Sequence, residues 1–166
     1  MTGRRRGLAV AAWLVSGVAG ALVFWLVQVM AGEGTIPQFM GEQIARMGGY
    51  APVLAPAIGW AVHLGVSLAY AGCFALIASS LARTTFPTRV AVTLVLALGL
   101  GWVTAVIAPP AISVTISVLG RRGWPAELFP FNTEIGLPFW NHLLFFALCW
   151  LVQVVIAERR LFTARI

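Results

Sequence analysis

The sequence contains no lysine and no aspartate, and charged residues of every kind make up only 10% of it. A soluble domain carries roughly 25%. So few charges cannot cover the water-facing surface of a 166-residue chain without leaving large apolar patches exposed. With 60% hydrophobic residues and a mean hydropathy of +0.93, the chain needs lipid as its solvent. The composition excludes an ordinary soluble domain and predicts an all-α integral membrane protein.

The other scarcities narrow the function. Two cysteines, Cys73 and Cys149, both lie within apolar runs, which excludes a secreted disulfide framework and leaves them as small core residues. Five carboxylates are present and none sits in the middle of an apolar run, so a proton relay, a sodium site or a voltage sensor has no basis. No Walker loop, nucleophile elbow or paired-histidine zinc motif occurs, and no catalytic residue is expected. The net charge is +6 and all 11 basic residues are arginine, yet no basic stripe with interleaved aromatics appears. Nucleic acid is therefore not an expected partner. The arginines serve as topology signals instead.

What is present is four long apolar runs, read as spans over about 8–30, 57–81, 90–108 and 139–157. The first follows Arg4, Arg5 and Arg6 and is too long for a signal-peptide core, so it reads as a retained signal anchor. Its Ser16/Gly20 and Gly17/Ala21 spacings suit close helix packing. The third run continues past Pro109-Pro110 to Leu119, as a kinked extension of the helix. Ile112, Val114, Ile116 and Val118 alternate with Ser113, Thr115 and Ser117, which also fits a strand. The short 82–89 connection predicts that spans two and three are adjacent. The whole chain, 1–166, reads as a single transmembrane domain, a four-helix up-down bundle.

Eight arginines (Arg4, Arg5, Arg6, Arg83, Arg89, Arg159, Arg160, Arg165) fall on one side of these spans, and Arg46, Arg121 and Arg122 on the other. The positive-inside rule then places both termini in the cytoplasm and both longer loops outside. In the first outer loop, Ile36, Met40, Ile44 and Met47 follow helical spacing, with Glu42 and Arg46 set four apart on another face. This predicts a short helix over 37–47 lying on the membrane surface. The second outer loop is rich in Trp, Phe and Pro and is expected at headgroup level. The stretch Gly59-Trp60-Ala61-Val62-His63, with Ser67 and Tyr70, resembles a segment of small bacterial inner-membrane proteins, a resemblance that implies no activity.

The candidate site rests on two histidines. His63 precedes Arg83 by about 30 Å of helix and His142 precedes Arg159 by about 26 Å, so both fall near the outer boundary at similar depth. On diagonal helices they face a common volume, where they would bind haem, a metal, a quinone or a pigment. Gln28, Trp60, Glu134, Trp140 and Asn141 are the surrounding candidates. The competing reading has each imidazole satisfied at the interface, as its neighbouring tryptophan is. The functional expectation is a non-catalytic accessory subunit of a larger membrane complex, respiratory or photosynthetic, in a bacterial inner membrane. The partners expected are lipid and other membrane subunits. A small redox or cofactor-binding protein is the alternative, and a transporter or channel subunit the third reading.

Overall fold

The computed structural model describes residues 2–81 and 84–163; Arg83 and Arg165 of the arginine set lie outside it. Five α-helices and one short 3-10 turn make up the described chain: α1 (Thr2–Met30), α2 (Ile36–Gly48), the turn Pro52–Leu54, α3 (Ala55–Ser80), α4 (Phe86–Leu119) and α5 (Leu137–Thr163). Among the described residues no strand occurs, so 111–119 is helix. Four of the helices are long and apolar enough to cross a membrane.

Small residues decide how these helices meet. The Gly17 Cα side of α1 lies against the Leu68 backbone of α3, and Gly20 lies under the Phe145 ring of α5. The two small-residue spacings of the first run are thus occupied within the chain, which lets backbones approach closely where lipid supplies no hydrophobic drive. On α4, Gly101 seats against the Leu143 backbone of α5, while Gly99 faces open space. Trp13 meets Leu68 and Ala21 meets His63, so the numbering runs in opposite senses along α1 and α3. Val90 meets Trp150 and Gly101 meets Leu143, and the same holds for α4 and α5.

The packing order is α3–α1–α5–α4. Spans two and three, expected to be adjacent, meet only loosely. Helices α3 and α4 touch little despite their short connection, because α4 is drawn onto α5 through Gly101. A cleft is left between α3 and α4, and α2 bridges it at the end that carries the 120–136 loop.

The first-loop helix begins one residue before its predicted start and ends one after. Thr35 caps it by accepting from the Gln38 N–H, Pro37 occupies the first turn, and Gly49 ends it in the left-handed region at φ 67°. Its apolar set packs inward: Met40 and Ile44 form a cluster with Ile116, flanked by Ile36, Met47 and Ile112. The pairing of Glu42 with Arg46 gives way to others. Glu42 accepts from Gln38 at 3.0 Å, and Arg46 donates to Gln43. Attachment to α3 is close. A Cβ on Gly59 would lie 1.8 Å from the Pro37 carbonyl oxygen, and one on Gly41 2.0 Å from that of Ala55.

Helix α4 runs without a break through Pro109 and Pro110. Each proline removes the donor for the carbonyl four residues earlier, those of Ala105 and Val106. The loop between α4 and α5 restores one of them: the Asn132 N–H donates to the Val106 oxygen at 3.0 Å. With Ser113 Oγ donating to the Glu127 carbonyl, this holds the loop against the C-terminal third of α4.

Candidate functional site

The cleft holds a half-open chamber of about 490 Å³ at the loop end of the bundle. Phe24 and Gln28 of α1, Met40 of α2, His63, Ser67 and Tyr70 of α3, Ala105, Pro109 and Ile112 of α4, the 130–134 segment, and His142 and Phe145 of α5 line it. Every long helix contributes a wall. The far end is sealed by Ala71, Phe74, Ala97, Phe145, Phe146 and Cys149, all buried. Phe146 stands 5.2 Å from Phe145 and 6.3 Å from Phe74, ring centre to ring centre.

His63 and His142 are both buried, at 7% and 9% exposure, and both touch Phe24 edge-on, with ring centres 5.7 and 5.2 Å away. They lie at one level of the bundle and on one cavity. Each uses one ring nitrogen on a carbonyl: His63 Nε2 donates to the Ala21 oxygen at 3.0 Å, and His142 Nδ1 to the Pro138 oxygen at 2.7 Å. A carbonyl carries no proton, so the proton of each bond belongs to the imidazole. Both rings are thereby fixed in orientation and in tautomer. A haem held by both nitrogens would have to displace Phe24, the ring in contact with both imidazoles. Among the described residues no three His, Cys, Asp or Glu side chains come near enough to hold a metal ion.

The surrounding candidates separate. Gln28 and Glu134 line the chamber. Gln28 Oε1 accepts from the Ile36 N–H at 3.0 Å, so its carbonyl starts α2 while its amide group remains available. Asn141, 1% exposed, donates through Nδ2 to the Phe24 carbonyl at 3.2 Å and so fixes the α1–α5 contact at the level of the rings. Its Oδ1 is the one buried side-chain polar atom without a partner among the described residues. Trp60 packs on His63 at 5.8 Å and on Trp25 at 5.6 Å, and lines a second recess of about 730 Å³ on the other side of α2. Trp140 is 57% exposed and does not line the chamber; it faces outward from α5.

Residues that sequence reasoning did not single out for the site include Phe24, Phe131 and Pro109. Phe24 is one apolar residue among many on α1. Pro109-Pro110 did carry a signal, since a double proline in a helix always frees two carbonyls. The chain matches no protein family, no curated protein and no solved structure.

Proposed function

We propose that this chain is a non-catalytic, multi-pass membrane protein that holds a small amphiphilic molecule in the chamber between α3 and α4. The observation that carries this reading is that two orientation-locked imidazoles and Phe24 line one cavity, while the opposite end of the bundle is solid. An apolar chamber with a few convergent polar groups is the usual form of a small-molecule site. The sealed end gives a continuous polar path no support, which weighs against a channel. In this reading the helices form an up-down bundle in a bacterial inner membrane, with both termini cytoplasmic by the arginine split and α2 at the outer interface. Helix α4, about 51 Å long at 1.5 Å per residue, exceeds the roughly 30 Å hydrocarbon core, so its part beyond Pro109 rises to the level of α2, where Ile116 meets Met40 and Ile44.

Detergent-purified protein, extracted with organic solvent and analysed by mass spectrometry, tests the reading. The wild type is expected to carry a small molecule that the double variant His63→Leu, His142→Leu lacks. Identical extracts from two equally folded proteins contradict it. The orientation is checked by a cysteine at Thr85 in a chain lacking Cys73. It should resist a membrane-impermeant thiol reagent in intact cells, and labelling there reverses the topology.

A second reading, an accessory subunit of a larger complex, draws on the loop between α4 and α5. Trp124, Phe131 and Ile135 are exposed there, an apolar surface suited to a partner subunit. Stoichiometric co-purification of a larger membrane protein, lost on Trp124→Ser with Ile135→Ser, supports it. The two readings are compatible, since a subunit can carry a ligand.

A further inference from the structure

We infer that the molecule taken by the chamber is a hydrogen-bond donor, specifically a phenolic or hydroquinone head on an apolar body. The inference rests on the ligand-binding reading above and specifies its chemistry. It starts from the two tautomers. With the Nε2 proton of His63 directed at Ala21 and the Nδ1 proton of His142 at Pro138, a neutral ring presents its other nitrogen as an acceptor only. Those atoms are His63 Nδ1 and His142 Nε2. Neither is sealed, because Asn141 Oδ1 is the single buried unpaired side-chain atom among the described residues. Both histidines line the cavity, so its two imidazoles can receive a proton in a hydrogen bond and cannot donate one, and the Gln28 amide is the donor on the same wall.

A third acceptor points the same way. Pro109 leaves the Ala105 carbonyl without its i+4 donor, and both residues line the chamber. The loop's Asn132 N–H satisfies Val106, the other carbonyl freed by the double proline. Ser67, Tyr70 and Thr115, whose hydroxyls can act in either sense, share the polar wall with Gln28 and the 132–134 segment. The remainder is aromatic and aliphatic: Phe24, Phe131 and Phe145 supply ring faces and edges, and Met40 an adaptable thioether. An aromatic ring bearing a hydroxyl meets both demands at once. A carbonyl-headed molecule of the same shape would leave the imidazole nitrogens facing another acceptor, a mismatch that a buried site penalises strongly.

Purified full-length protein in detergent is titrated with para-hexylphenol, its O-methyl ether and para-hexylbenzylamine, with affinity read by the shift in thermal unfolding. The phenol is expected to bind at least about tenfold tighter than the ether, the size of one lost buried hydrogen bond. His63→Ala and His142→Ala should each bring that ratio toward one while leaving the ether's affinity in place. The wild-type ratio decides the matter by itself should either variant fail to fold. Equal affinity for phenol and ether overturns the donor requirement and leaves the chamber as an apolar site. Tighter binding of the amine overturns the phenolic assignment in favour of a cationic head paired with Glu134. Failure of all three probes to bind overturns the inference and the ligand-binding reading together.

Discussion

The two ends of this bundle are built from different materials. At one end Phe74, Phe145 and Phe146 interlock around Ala71, Ala97 and Cys149, with Trp13 and Trp150 anchoring their indole N–H groups on the carbonyls of Leu68 and Val90. At the other, the same helices diverge around a chamber holding two imidazoles, a serine and a tyrosine hydroxyl, under a roof of Met40, Ile44 and Ile116. In lipid, helix association depends on contact between packed surfaces, since apolar burial drives nothing. A hollow in such a bundle forfeits dispersion contacts along its whole lining. The aromatic end and the glycine-seated α2 supply what the hollow forgoes. The proposed binding site and the packed aromatic cluster thus occupy opposite ends of the same four helices.

The comparison breaks first at the solid end. Phe146→Ala should cost about 3–5 kcal/mol, as large-to-small changes at fully packed aromatic sites do, measured by reversible unfolding in mixed micelles. A cost near that of a surface substitution would mean that this end is not the stabilising one. Next comes the roof. Gly59→Val places side-chain atoms where the Pro37 carbonyl now sits, so α2 must lift from α3. About 1–3 kcal/mol of stability should be lost, with α2 becoming accessible to protease while the aromatic cluster stays intact. The smallest effect is expected at Trp140, which projects from α5 away from the chamber. Trp140→Leu should change stability by less than about 0.5 kcal/mol and leave chamber binding unaltered.

Much of the fold is legible in the residues, and the reasons are physical. The four apolar runs announce helices because their lengths match a bilayer, and α2 announces itself through the spacing of Ile36, Met40, Ile44 and Met47 and the Gly48-Gly49 stop. The order of packing is not legible. It turns on which glycines meet a backbone, and nothing local separates Gly101, seated on Leu143, from Gly99, facing open space. The alternation of Ser and Thr with Ile and Val over 112–118 fits a strand as well as a helix. It resolves because Ile112 and Ile116 share one helical face against α2, and Ser113 reaches the Glu127 carbonyl.

The candidate site divides similarly. The histidines stand out by rarity and spacing, as does their common level. The partners that fix them do not, since Ala21 and Pro138 act through backbone oxygens that any residue carries. Trp60 and Trp140 look alike beside their histidines, yet Trp60 packs on its imidazole while Trp140 turns outward. Helix rotation decides which, and in spans apolar on every side the pattern holds no strong rotational signal.

Thiol accessibility compares the two ends in one experiment. With Cys73 replaced by serine, the fully buried Cys149 reports on the solid end, and Ser67→Cys adds a thiol to the chamber wall. The folded protein in detergent is treated with N-ethylmaleimide, with and without para-hexylphenol. The chamber thiol should react at least about tenfold faster than Cys149, as exposure governs such rates, and the phenol should slow only that reaction. A thiol at position 67 as inert as Cys149, or one whose rate the phenol leaves unchanged, would contradict the account.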